Sequence, residues 1–400
     1  MSTISFLILK LFQTGVLIIY NKSVMKFIVV GAGVSGIIFA ISRKKLYPQD
    51  EVIVLEHLDK PLKKVLATGN GKCNIGNVKD MSNQYDEKIV KNILMTYDFK
   101  KQKQFLDSIN IKTKLIGDLS YPITESAVTV RNALLNAINK YGVKILTETT
   151  LIDYEVKSSL IIVKTNKGDY KCDKLIFATA GKSSPKLGSD GSIIPLLEKH
   201  NYKFEQFRPV LCPIHTKNKT KEVDGTRVKA NVSVFDGDKL IFHESGEVLF
   251  KDRGLSGIVI FNASRYMKDS KPYEIKLDLL PEIAREELYD FINKNGKEIL
   301  LETYLHPILA KWILKSNPSE KDIIEHYVKA LTFIYDGNYG FENSHVSAGG
   351  IRFIDLNDNL ESKTEKNVHF IGEILDYDAP CGGYNLMWAI ATGLYLSKIK

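Results

Sequence analysis

A chain of 400 residues with 44% hydrophobic content can bury a sizeable core and reads as a soluble, globular protein of two or three domains. Its 55 basic and 47 acidic side chains leave a net charge of +8, spread without any run of five or six like charges. That pattern argues against a nucleic-acid-binding stripe and fits an anionic cofactor or substrate, or simply a soluble basic protein. Cys73, Cys172, Cys212 and Cys381 lie far apart, with no C-x-x-C and no histidine at zinc-ligand spacing. Neither a disulfide framework nor a metal site is indicated, and a reducing, cytoplasmic compartment is expected.

The first element in chain order is an apolar leader, residues 1–24, interrupted by Lys10, Gln13 and Thr14. It suggests a signal h-region or membrane anchor. The plainer reading is an extension of the gene upstream of Met25, because Lys26-Phe27-Ile28-Val29-Val30-Gly31 has the look of a chain start. The run Phe27–Val30 predicts a buried strand ending in Gly31-Ala32-Gly33-Val34-Ser35-Gly36, and Ile37–Ile41 continues as a helix. A second strand, Val52–Leu55, ends in Glu56, so the opening is one βαβ unit. Further on, Lys174–Thr179 and Val368–Ile371 are short strands ended by glycine, suited to the same sheet.

Between about 206 and 337 the texture changes. Val232–Phe235 and Lys239–Phe242 alternate as antiparallel strands do. Helical patterns then follow at Pro281–Leu288, Leu305–Leu314 and Ile323–Phe333. The expected architecture is therefore α/β: a cofactor domain of residues 25–205 and 338–400, split by an inserted β domain (206–280) and an inserted helical domain (281–337).

The strongest chemical signal is G-x-G-x-x-G at Gly31, Gly33 and Gly36, between a strand and a helix, with an acid twenty residues on. The first glycine permits the tight turn, the second lets backbone approach a pyrophosphate, and the third lets helix and strand pack. The helix N-terminus then offers unpaired N–H groups to the phosphates, and Glu56 can accept from ribose hydroxyls. This pattern marks a dinucleotide site without separating FAD from NAD. Ala67–Asn77, rich in glycine beside Lys72 and Asn74, is either a second cofactor-wrapping loop or a surface loop. In Gly372-Glu373 and Cys381-Gly382-Gly383-Tyr384-Asn385-Leu386, a glycine pair opens a helix whose N-terminus could stabilise negative charge on a cofactor ring.

Those segments together give a resemblance, over about Lys26 to Lys400, to the BaiN/YhiN-type FAD-dependent flavoproteins of bacteria. Gly69–Asn77 looks like that family's S-G-G-G-R-C-N-x-T-N loop, and Gly372–Trp388 looks like G-E-x-L-D…G-G-Y-N-L-Q-W. Ala178–Ser183, Gly246–Phe250 with Gly254–Gly257, and Ser347–Ile351 match further segments. The resemblance implies FAD, held in a Rossmann-like domain split by a β-barrel-like and helical insertion. It also implies FAD contacts at Gly31, Gly33, Ser35, Gly36, Glu56, Lys64, Gly71, Cys73, Asn74, Gly372, Glu373, Gly383, Tyr384, Asn385 and Leu386. Asn70 and Lys72 depart from a Gly and the Arg of the family loop, and a lysine cannot reproduce a forked guanidinium contact. The Ser189–Ser192 turn is about two residues short, while Ile258 and Met387 stand where Pro and Gln are usual.

The implied activity is an NAD(P)H-driven reduction of an activated C=C bond in a small organic substrate, with NAD(P)H a transient electron donor. The alternatives are an oxidase of small amines releasing hydrogen peroxide, and a flavoprotein that binds or modifies RNA. The catalytic residue is open; His345, Tyr384 and Cys381 are the candidates, beside His215, His243 and His306. Cys73 and Cys381 are either a redox thiol pair or buried inert thiols. Arg253 is a candidate for an anionic substrate, with a solvated loop as the alternative, and Tyr121 and Arg131 are undecided. The expected partner is a small-molecule substrate; nucleic acid is not expected, a membrane is expected only if the leader is real, and the oligomeric state is open.

Overall fold

The computed structural model describes residues 24–400 except Ser159 and Ser270, so the leader, Val24 apart, lies outside the described residues. Five parallel strands form the central sheet, in the order Val368–Phe370, Lys174–Phe177, Lys26–Val30, Glu51–Leu55 and Lys144–Leu146. Strand Lys26–Val30 sits in the middle, and from Phe27 on it is buried on both faces, as helix-covered parallel sheets require. Helix Val34–Leu46 packs against both Ala127–Tyr141 and the last helix, Tyr384–Leu396. Ile37, Ile38, Phe39, Ala40 and Ile41 have no exposed surface, so the helix is enclosed rather than amphipathic.

Arg43, on that helix, is 2% exposed and bound on every side. Its Nε donates to Asp50 Oδ2 at 2.7 Å, its Nη1 donates to the carbonyls of Ser397 (3.1 Å) and Ile399, and the guanidinium lies over the rings of Phe27 (4.5 Å) and Tyr47 (4.0 Å). The turn that follows helix Tyr384–Leu396 is thereby fastened to helix Val34–Leu46.

The insertion is a closed antiparallel barrel of six strands, in the order Ile214–Thr216, Gly254–Ser256, Lys239–Lys251, Arg227–Asp236, Glu274–Asp278 and Leu331–Asn338. Helices Arg285–Asn295, Lys297–Tyr304 and Pro307–Leu314 and a π-helix, Ile323–Val328, run between its last two strands. Two sequence readings are corrected here. Pro281 precedes the helix by a turn rather than opening it, since helical residues begin at Arg285. The helical pattern Ile323–Phe333 breaks at Lys329, and Leu331-Thr332-Phe333-Ile334-Tyr335 closes the barrel as a strand with alternating burial. β-branched and aromatic side chains on a pleated, half-buried surface outweigh the helical spacing there.

The chain enters the barrel along Phe204–Val210 and returns along Val346–Ile351, and these two segments pair antiparallel. Arg265 of the insertion reaches back to Asp378, with Nε to Oδ2 at 2.5 Å. Among the described residues no helix is long and apolar enough to cross a membrane, and no cluster of His, Cys, Asp or Glu could hold a metal.

Candidate cofactor site

A cleft opens at the carboxyl ends of Lys26–Val30, Glu51–Leu55 and Lys174–Phe177, where ligands of open α/β sheets bind. Gly31 turns the chain out of its strand at φ +107°, a conformation that disfavours any Cβ, and its N–H donates to Leu55 O at 2.8 Å. The N-terminus of helix Val34–Leu46 then faces the cleft without an acidic side chain in its first turn. Glu56 is held by two backbone donors, Ala32 N to Oε2 at 3.1 Å and Leu58 N to Oε1 at 2.9 Å. It is fixed in place; Oε1 also lies 3.3 Å from His57 Nδ1, and Oε2 keeps a lone pair for a hydroxyl.

The glycine-rich loop and the Gly-Gly turn, far apart in sequence, are joined. Asn77 Nδ2 donates to Gly382 O at 3.2 Å. The Asn74 amide, oriented by its surroundings, donates to Gly76 O and Ser120 O and accepts from Gly383 N at 3.3 Å. Gly69, Asn70, Gly71 and Cys73 all have positive φ, so the loop doubles back tightly. Lys72 points outward to Glu125 at 3.2 Å and does not take the place of an inward guanidinium.

Beyond the turn, helix Tyr384–Leu396 presents its N-terminus to the cleft with no side-chain cap. The Asn385 amide is committed to Ala379, accepting from its N–H (3.0 Å) and donating to its carbonyl (2.7 Å), so this residue can offer a ligand its backbone N–H. Tyr377 forms part of the wall, stacked on Trp388 at 4.2 Å. Lys64 Nζ meets Glu373 Oε2 at 2.7 Å, and Glu373 Oε1 accepts from Ser347 N at 3.0 Å. The His345 ring, edge-on to Phe261 with centroids 5.2 Å apart, is exposed into the same cleft. The enclosing wall first, and the Lys64 ammonium second, hold its pKa below the ordinary 6.5.

Of the residues expected at the site, Gly31, Gly33, Ser35, Glu56, Lys64, Glu373, Asn385, Leu386 and His345 line the cleft. Gly36, Gly71, Cys73, Asn74, Gly372, Gly383, Tyr384 and Cys381 lie outside its lining. Gly36, Gly372 and Gly383 shape the backbone behind it, where a Cβ would strike Gly31 O, Ser35 Oγ and Gly76 N respectively. Burial pushes the Cys73 thiol up and that of Cys381 to about 12, so both are protonated rather than thiolate nucleophiles. Sequence reasoning missed Thr179, Tyr377 and the Leu187–Ile193 loop, all on the wall. The signals available were the resemblance to the family at Ala178–Ser183 and at the shortened Ser189–Ser192 turn, to which no site role was attached.

Two of these neighbours test the fit to a polar cofactor. Thr179 Oγ1 and Ser189 Oγ are buried at the wall with no hydrogen-bond partner. Orphaned hydroxyls are costly unless something bonds them, and a dinucleotide's phosphates and hydroxyls would. Thr179→Val is accordingly expected to leave the melting temperature of the cofactor-free chain unchanged or raised while weakening FAD binding about tenfold, one lost hydrogen bond, by fluorescence titration.

The family model described as the HI0933-like protein Rossmann domain matches residues 25–398. A 3-dehydro-bile acid delta(4,6)-reductase of Clostridium scindens is 28% identical over 91% of this chain and 96% of its own length. A ribosomal RNA dihydrouridine synthase of Haemophilus influenzae is 26% identical over 90% of this chain and 95% of its own. Among solved structures, the FrdA chain of E. coli quinol fumarate reductase superposes with a TM-score of 0.51 at 12% identity, covering 94% of this chain and 69% of that one, a likeness of fold alone. With a glycine-rich turn, a fixed carboxylate and a helix N-terminus converging on one cleft, the chain belongs to the HI0933-like Rossmann domain family, as an FAD-dependent oxidoreductase.

Proposed function

We propose that this protein reduces a C=C bond conjugated to a carbonyl in a small organic molecule, with a dihydronicotinamide dinucleotide as electron donor. The observation that carries the reading is His345: an imidazole facing the cofactor cleft, with no hydrogen bond to its ring nitrogens among the described residues. FAD, when bound, would supply the hydride chemistry that links a dihydronicotinamide to the alkene carbon farther from the carbonyl. The protein has to hold the ring, exclude water and supply a proton to the other carbon.

Gly31, Gly33 and Ser35 would hold the pyrophosphate, and Glu56 the adenosine ribose. Glu373, oriented by Lys64 and Ser347 N, would hold ribityl hydroxyls. The N–H groups at the start of helix Tyr384–Leu396 would face the negative end of the ring. His345 Nε2 or Nδ1 would give the proton. The names of the two relatives support the type of bond reduced, one being a reductase of a 3-dehydro-bile acid and the other a maker of dihydrouridine in ribosomal RNA.

To donate, His345 must carry its proton, and its pKa is lowered; the alkene-dependent step should therefore slow as pH rises through a value below 6.5. His345→Ala should slow that step by about 10² or more and abolish this pH limb, followed by stopped-flow reoxidation with an enone. An FAD-loaded protein whose NAD(P)H oxidation no enone or other alkene accelerates would refute the reading. Peroxide formed from an amine without nicotinamide would replace it with an oxidase.

A further inference from the structure

Three cations along one rim of the cleft have no anion of their own. Among the described residues, no carboxylate lies within ion-pairing distance of Lys182, Lys251 or Arg253, whereas Lys64 inside the cleft is paired. These cations alternate with aromatic rings. Lys182 Nζ stands 5.1 Å from the centre of Phe341, Lys251 Nζ stands 5.9 Å from that of Tyr339, and His215 stacks on Tyr339 at 4.0 Å. Arg253 is exposed beside them, its carbonyl facing His215 Nδ1 at 3.3 Å. Lys186 adds a fourth cation, and the exposed carboxylates Asp190, Asp224, Asp252 and Glu342 lie along the same stretch, none of them within ion-pairing distance of the four.

The Lys182 end of the row adjoins the cofactor cleft. Ser184 N donates to Phe341 O at 2.9 Å. The Lys182 side chain runs along Gly191, where a Cβ would come within 2.8 Å of its Cγ, and Gly191 lines the cleft. His345, four residues past Phe341, lines it too.

We propose that this rim docks the adenosine-phosphate half of a dihydronicotinamide dinucleotide, with its nicotinamide entering the cleft past His345. The proposal rests on the nicotinamide-driven reading above. The chain carries a single G-x-G-x-x-G, and that turn belongs to the first dinucleotide, so a second one must bind without a Rossmann turn. Rings for an adenine and unpaired cations for phosphates are what such a ligand needs. A row of four cations is short for a polynucleotide, which neutralises many phosphates in series.

The test is equilibrium binding, independent of turnover. FAD-loaded full-length protein is titrated with NADP+ and NAD+ by calorimetry at two salt concentrations, alongside Lys182→Ala and the double variant Lys251→Ala with Arg253→Ala. None of these side chains is buried, so the variants should fold, and their flavin spectra check that they do. Saturable binding by the parent, weakened about tenfold or more in both variants and with a shallower salt dependence, is expected. No binding by the parent, or equal affinity in the variants, overturns the site. So does a labelled single-stranded RNA that binds through these lysines when NADP+ does not. Variant-sensitive NADP+ binding without reduction of any alkene would remove the reductase reading and leave the docking site. Alkene reduction with normal NADP+ affinity in the variants would do the reverse.

Discussion

Gly36→Ala is expected to fold poorly and retain no flavin, whereas Gly33→Ala is expected to fold like the parent and still lose the cofactor. The difference lies in what a methyl group would meet. At Gly36 an added Cβ would sit 2.2 Å from Gly31 O, 3.1 Å from Val29 Cγ1 and 3.2 Å from Ala178 Cβ, so helix Val34–Leu46 would have to lift off the sheet. The closest atom is backbone in a tight turn, so the cost should exceed the usual ~1–3 kcal/mol of overpacking. At Gly33 the backbone is extended, with φ −80°, and nothing lies within 4 Å of an added Cβ. Open space there is what a pyrophosphate would occupy. Thermal melting without cofactor and FAD titration separate the two effects: a normal melting temperature with FAD affinity lowered at least a hundredfold for Gly33→Ala, and a lowered melting temperature for Gly36→Ala. Normal flavin binding by Gly33→Ala would place the pyrophosphate elsewhere.

Arg43→Met should be the most damaging change away from the cleft. It would leave the Asp50 carboxylate, 2% exposed, with Met25 N (3.1 Å) as its remaining side-chain-directed donor, and would strand the carbonyls of Ser397 and Ile399. Removing one partner of a buried pair costs about 3–5 kcal/mol. A urea titration followed by tryptophan fluorescence should show the midpoint fall accordingly. Arg43→Met with Asp50→Asn should recover part of the loss, because the uncompensated charge is gone. A midpoint within error of the parent for the single variant would mean that water reaches Asp50.

Much of the central architecture was legible because its signals are local. A buried strand ending at Gly31, the glycine spacing and Glu56 lie within thirty-one residues, and each has one physical reason to be there. Strands Lys174–Phe177 and Val368–Phe370 were readable for the same reason, as short apolar runs ended by glycine. Features that depend on distant segments were not. Nothing near Leu331 announces that it closes a barrel begun more than a hundred residues earlier, so helical spacing misled. Arg43 carries the residue type of a solvated helix face, and its burial follows from Asp50 and from carbonyls at the far end of the chain. The Asn385 side chain stood in a motif that suggests a ligand, yet its nearest polar group is the Ala379 backbone. In the cleft, Thr179 and the Leu187–Ile193 loop stood in or beside segments picked out by the family resemblance, Ala178–Ser183 and Ser189–Ser192, and only the closed sheet shows what they face.

The parallel sheet is finished by its last strand, Val368–Phe370, and roofed by helix Tyr384–Leu396, whereas every barrel strand ends by Asn338. During synthesis the inserted barrel can therefore leave the ribosome and pair completely while the cofactor domain still waits for an edge strand and a covering helix. Until then strand Lys174–Phe177 has an open edge and Val34–Leu46 an uncovered apolar face, and the glycine-rich loop lacks the Gly382-Gly383 turn that fastens it. Flavin capture should accordingly be one of the final events of biogenesis, and a chain truncated after residue 360 should expose a sticky half-sheet beside an already folded barrel, a natural target for chaperones.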